Sequence, residues 1–359
     1  MGHSNAMGQD DESDFIFSVD WEIRSIPPNH SEACIFKVHD RLREVNPKAY
    51  EPDILSIGPY HHCKDNLSAM QKHKVRYLQL LLQRRHESSV EKYIMAMRNL
   101  EEKARRFYEN SINLKSDDFV KMMLFDGCFI IELFRKTRFT DLRDKNDPIF
   151  KMNWMRSGLR GDLLLFENQL PFFILVELFN MTKDSNRDED IVKMAQTFFR
   201  PIMPAPFVSK DSSTRILEVN HLLGLMHDCF CSSFADIVSR RNAGNKGGEF
   251  GFIKSVIELE EAGIEFKKSN EKFSFFNIKF ENGVMEIPPL TVADKTECVF
   301  RNLIAYEQYR DNTYPMFVSD YTKFMDCLVN SAEDVEKLRC TGIINNWLGN
   351  VPLYACVAL

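Results

Sequence analysis

Ser116-Asp-Asp-Phe-Val-Lys-Met-Met-Leu-Phe-Asp-Gly-Cys-Phe-Ile-Ile-Glu-Leu-Phe134 is the stretch that decides the fold class. Its apolar residues Phe119, Met122, Met123, Phe129, Ile130 and Leu133 recur near the three- and four-residue spacing of a helix, not at the alternation of a strand. Ser116 is the expected N-cap, and the six apolar residues are expected inward.

The same period extends to both sides. Leu67 to Arg85, Ser89 to Glu109, Leu159 to Asn180, Asp188 to Phe199, Thr214 to Val238, Thr296 to about Arg310, Tyr321 to Val329 and Ser331 to Leu338 all read as helices. Cys34 to Val38 and Asp53 to Ile57 read as short extended pieces, with a helical turn from Arg41 to Val45 between them. One clear β signal interrupts the pattern. Phe276, Ile278 and Phe280 alternate with polar residues, Asn282-Gly283 turns the chain, and Val284 to Ile287 returns it. The fold class expected is therefore mostly α (α+β), a multi-helix globular body with a small β-hairpin. A Pro-rich linker at 201–212 divides it into an N-terminal lobe at 31–200 and a C-terminal lobe at 213–350 with the hairpin at 273–290, the two forming one compact unit. Residues 1–30 read as a cloning scar (MGHSNAM) and a loose acidic arm.

Composition sets limits on function. Hydrophobic residues make up 44% and charged residues 27%, which places the chain among ordinary globular proteins. A net charge of -6 argues against a nucleic-acid partner. Nine scattered cysteines without a CxxC pair predict reduced thiols, no structural disulfide, a monomeric or weakly associating chain and a cytoplasmic setting. The apolar run from Leu163 to Phe179 is broken by Glu167, Asn168, Gln169 and Pro171, so it reads as a core helix and not a membrane span. The Gly-rich stretch from Asn242 to Gly251 lacks the Lys-Ser/Thr ending of a phosphate loop and reads as plain loop.

The candidate site residues are the polar ones that interrupt apolar helices, because a buried polar group needs a partner. Asp162, Glu167, Arg301 and Glu307 are the catalytic candidates, and His61, His62, Asn168, Gln169, Asn302 and Gln308 the binding candidates. Pro171 is expected to kink its helix and open a polar pocket around Glu167 and Arg301, or else the polar groups form a network that fixes helix packing. Glu297 and Arg301 stand four apart in a favourable acid-to-base order, and Arg301 is further expected to pair with Asp162, Glu167 or Glu132, so that three polar blocks meet. Asp126 and Glu132, six residues apart, fall on different faces of their helix. His61, His62, Cys63 and His73 resemble a metal set but lack a converging geometry, so neither metal nor cofactor is expected.

Five blocks in one order carry a resemblance. They are Ser56-Ile-Gly-Pro-Tyr-His-His62 with Met70 to Leu82, Phe119 to Phe134, and Gly161-Asp-Leu-Leu-Leu-Phe-Glu-Asn-Gln-Leu-Pro-Phe-Phe173. Glu258 to Phe266 with Ile287-Pro-Pro-Leu290, and Thr296-Glu297 with Phe300 to Gln308, complete the set. Together they resemble the plant domain-of-unknown-function-247 family. That family usually has Gly where this chain has Cys63, and Glu where it has Gln71. The resemblance implies a non-enzymatic module that recognises another protein, since grass relatives are associated with self-incompatibility. It also implies plasma-membrane anchorage through a C-terminal span in longer relatives. The other hypotheses are a helical enzyme acting on a small molecule near Glu167 and Arg301, and a peripheral membrane adaptor.

Overall fold

The computed structural model describes residues 7–25, 32–204, 219–241, 253–270, 275–311 and 313–348. The linker positions 205–212, the residues 214–218 expected to be helical, the Gly-rich loop at 242–251 and positions 273–274 of the expected hairpin lie outside these.

The quoted stretch lies in helix α5 (Ser116–Arg138), which follows α1 (Met7–Ser25), α2 (Asp40–Arg43), α3 (Ala69–Arg84) and α4 (Glu91–Arg106). Sixteen of the 23 residues of α5 are buried, because a helix apolar on nearly every side must be enclosed. It packs against α3, α4, α8 (Phe172–Thr182) and α9 (Ile191–Phe199). Gly127 makes the α8 contact possible: a Cβ there would stand 2.4 Å from Leu178 Cδ1. The N-cap of α5 is Lys115, not Ser116, whose hydroxyl accepts from Arg98 at 2.7 Å and donates to Glu101.

The expected helix from Leu159 to Asn180 is not kinked but divided. After α6 (Pro148–Lys151), α7 (Asn153–Asp162) stops, residues 163–171 are not helical, and Pro171 stands at the N-cap of α8. Proline suits the start of a helix, where no intrahelical bond to its nitrogen is required. The Asn168 and Gln169 side chains bond to backbone carbonyls in the gap and so compete with helix formation there.

Helices α10 (Leu222–Arg241), α11 (Val256–Glu261), α12 (Thr296–Gln308), α13 (Phe317–Leu328) and α14 (Ala332–Cys340) complete the set. The hairpin forms as β2 (Lys279–Glu281) and β3 (Val284–Ile287), with Glu281 opposite Val284. Asn282 and Gly283 take φ of 52° and 76°, the sense that a two-residue turn between twisted strands demands. The sequence reading missed β1 (Glu265–Lys268), which pairs in parallel with β3 and makes the sheet order β1-β3-β2. It also missed the parallel pair β4 (Leu290–Val292) and β5 (Ile344–Asn346). Strands of three and four residues are too short to show alternation. Phe276 and Ile278 precede β2, and the Phe276 ring packs against Phe230 and Tyr321.

The chain divides into two compact units, Met1–Ala33 and Cys34–Leu359. The segment expected to be a loose arm is helical from Met7 to Ser25, with Arg24 placed favourably at the negative end of the helix dipole. The side chains of Phe15, Phe17 and Trp21 on it are exposed. Among the described residues no helix is long and apolar enough to cross a membrane, and the eight cysteines there are unpaired.

Candidate functional site

The polar candidates gather around a stretch of backbone that is mostly neither helix nor strand, residues 38–58. Buried amides in such a stretch have no regular partner and must find one among side chains. Asp162, at the end of α7, accepts from three of them in a row: Asp53 N at 2.9 Å, Ile54 N at 2.8 Å and Leu55 N at 2.8 Å. Burial raises its pKa to about 6, against these three donors, which lower it. Asn168 accepts from Ile57 N at 2.6 Å and donates to Leu55 O and Asp162 O at 2.9 and 2.8 Å. Asp126 accepts from Gly58 N at 2.9 Å and from the buried ammonium of Lys74, which also donates to Ser56 O at 2.6 Å. Glu167 accepts from Val38 N at 2.6 Å and from Arg43. Asn302 on α12 accepts from Phe166 N and donates to Ala49 O, both at 2.8 Å. Gln169 accepts from Leu223 N at 3.0 Å, at the start of α10.

Arg301 reaches none of these carboxylates and meets the segment at Tyr50. It pairs one helical turn away with Glu297 at 2.8 Å, and not with Asp162, Glu167 or Glu132 as expected. The reason is saturation: three amides already occupy Asp162, Arg43 and an amide hold Glu167, and Arg84 and Arg135 hold Glu132 at 2.7 and 2.9 Å. The three blocks therefore do not form one network through Arg301. Glu307 accepts from Val318 N, Ser319 N and Ser319 Oγ at 2.9, 2.8 and 2.7 Å, which fixes the start of α13. Gln308 is exposed. His61 is buried between Glu51 and Glu167, at 3.7 and 3.6 Å, and burial pushes its pKa down to about 4.

Three cavities open nearby. The first, about 350 Å³, runs between residues 56–71 and the first turns of α5. Leu67, Met122 and Phe125 are its apolar lining, and His62, Lys64, Asp118, Lys121 and Asp126 the ionisable part of its polar one. The second, about 200 Å³, has Asp162, Lys295 and Glu297 in its walls, and the third, about 280 Å³, has His73, Arg76 and Asp147. Neither Glu167 nor Arg301 lines any of the three, so the polar pocket expected around that pair is not among them.

Two groups escaped the sequence reading. Arg135, fully enclosed, donates to Glu189 at 2.9 and 3.0 Å and to Glu132 at 2.9 Å. Nothing in the sequence singles it out, since its partner Glu189 lies 54 positions away. His227, Cys231 and Glu307 bring three ligand atoms within 4.8 Å of one another, the one such set among the described residues. His61, His62, Cys63 and His73 do not. The four-residue spacing of His227 and Cys231 on a helix was the available signal.

A family model described as a plant protein of unknown function, DUF247, matches residues 35–353. The chain is similar to UPF0481 protein At3g47200 of Arabidopsis thaliana, at 32% identity over 88% of this chain and 70% of that one. It is also similar to putative UPF0481 protein At3g02645 of the same plant, at 21% identity over 91% of this chain and 77% of the other. No solved structure matches it.

Proposed function

The chain belongs to the DUF247 family of plant proteins of unknown function, and on that premise we propose that it is a non-enzymatic recognition module that binds a partner protein through the cavity beside α5. One observation carries this reading. Most of the polar side chains that suggested catalysis are committed to the chain's own backbone or to buried partners, and the pair on which the enzyme hypothesis relied is split. General acid–base work needs a group free to reach a substrate. Glu167, with Val38 N and Arg43 on it, has no such freedom.

The cavity beside α5 has the composition of a recognition surface. Met122 and Phe125 give it an apolar wall, and of its two carboxylates Asp126 is already paired with Lys74, which leaves Asp118 against Lys64 and Lys121. Such a site suits a segment that places an apolar side chain on Phe125 and a carboxylate toward Lys121. The association of grass relatives with self-incompatibility, a process of recognition between proteins, supports the same reading.

The test is to pan a displayed random-peptide library against the full chain and titrate the enriched peptides. Acidic–apolar sequences are expected to recur and to lose at least about tenfold in affinity, roughly 1.4 kcal/mol, against Lys121→Glu or Phe125→Asp, each checked for an unchanged melt. Failure to enrich any peptide, or binding indifferent to both substitutions, overturns the proposal.

A further inference from the structure

His227 and Cys231 lie four residues apart on α10, and Glu307 reaches them from α12. Cys231 Sγ stands 3.6 Å from His227 Nε2, and that nitrogen stands 2.9 Å from Glu307 Oε1. All three residues are buried. Zinc bound tetrahedrally at its usual distances of about 2.3 Å to sulfur and 2.0–2.1 Å to nitrogen and oxygen separates S from N by about 3.6 Å and N from O by about 3.3 Å. The first edge is already in place, the second needs an opening of about 0.4 Å, and the third, sulfur to oxygen, lies within 4.8 Å against the about 3.6 Å that the metal requires. We propose that His227, Cys231 and Glu307 hold a zinc ion that ties α10 to α12.

The surroundings supply what such a site needs. A thiolate and a carboxylate together neutralise a divalent cation, so the occupied site carries no net charge into the interior. A thiolate with an imidazole favours zinc over the hard cations magnesium and calcium. The other ring nitrogen of His227, Nδ1, is 3.3 Å from Asp228 Oδ1, and Arg310 lies 3.3 Å from the same oxygen. A carboxylate on the far nitrogen orients the ring and leaves Nε2 for the metal. Glu307 is fixed likewise, its Oε2 accepting from both the backbone and the hydroxyl of Ser319, while Val318 N reaches Oε1. Three ligands come from the described residues, and the fourth position is open to a ligand such as water.

The experiment uses the full chain. Elemental analysis of the purified protein is expected to return close to one zinc per chain. Cobalt added after chelation is expected to give a thiolate-to-cobalt charge-transfer band and the strong visible bands of a tetrahedral ion. Cys231→Ala should lose both metal and band, while seven other cysteines among the described residues remain. Asp228→Asn should weaken zinc about 10- to 100-fold, read by competition with a chromophoric chelator. Wild-type protein that holds far less than one zinc and takes up cobalt without a charge-transfer band overturns the site, as does a band that survives in Cys231→Ala. Should Cys231→Ala not fold, unchanged zinc affinity in Asp228→Asn overturns it instead.

Discussion

Single residues divide by what they leave behind when removed. Arg135 is enclosed with Glu132 and Glu189, and without it Glu189 keeps only the Asp184 amide at 3.2 Å. Arg135→Met is therefore expected to cost about 3–5 kcal/mol, because a buried carboxylate loses its cation. Arg301→Ala is expected to cost only about 1 kcal/mol, since its partner Glu297 is 27% exposed and keeps the Asn46 amide at 2.8 Å. Urea unfolding of both variants checks the contrast, and equal losses would contradict it. Cys63 is a different case. Its φ of 63° is a left-handed backbone that a β-carbon opposes. Cys63→Gly is expected to raise stability by about 0.5–1 kcal/mol, the left-handed penalty removed less the added chain entropy of glycine. A lower unfolding midpoint in that variant would count against the strain.

At the scale of elements, the gap between α7 and α8 matters more than either helix. Within it Asn168 makes three hydrogen bonds, to Ile57 N, Leu55 O and Asp162 O, and is fully buried. Asn168→Ala strands Ile57 N and Leu55 O, while Asp162 O keeps Leu165 N at 3.3 Å; each buried unsatisfied group costs about 1–3 kcal/mol, so a loss of about 2 kcal/mol or more is expected. Amide exchange should rise first at Ile57, whose N–H has lost its acceptor. Unchanged exchange there would show that the segment is held by something else. Gly58 belongs to the same junction: at φ 69° a Cβ would stand 2.3 Å from the Gln169 carbonyl oxygen, so the Ser-Ile-Gly-Pro block and the Glu-Asn-Gln block are packed against each other.

For the whole molecule the acid response is set by opposing carboxylates. Burial works against a charge on Glu132, but Arg84 and Arg135 outweigh it and hold its pKa below the ordinary value. Its stabilisation is present above the ordinary carboxylate range and is lost as pH falls. Asp162 acts in the other sense. Its folded pKa of about 6 lies above the ordinary 3.8, so between those values the folded chain binds the extra proton and this contribution declines as pH rises. Asp162 thus softens acid destabilisation, and Asp162→Asn is expected to lose stability more steeply than wild type between pH 6 and pH 4. Unfolding free energies at several pH values test this, and parallel curves would show that Asp162 does not titrate in that window.

The helices, the Asn282–Gly283 hairpin and the absence of a membrane-spanning helix among the described residues were legible because each depends on residues within a turn or two of one another. The family was legible for a related reason, since its blocks recur in one order along the chain. The sequence also marked Asp162, Glu167, Asn168 and Asn302 as polar groups in apolar surroundings that needed partners. It could not supply those partners. Asp162 bonds residues 109 to 107 positions earlier, and Asn302 bonds Ala49 across 253 positions. A side chain's hydrogen-bonding capacity is local chemistry, but which donor fills it is decided by how helices and loops pack. For that reason the tertiary structure alone decided which donors fill Asp162 and Glu167, gathered His227, Cys231 and Glu307, and made the polar blocks a clamp on residues 38–58.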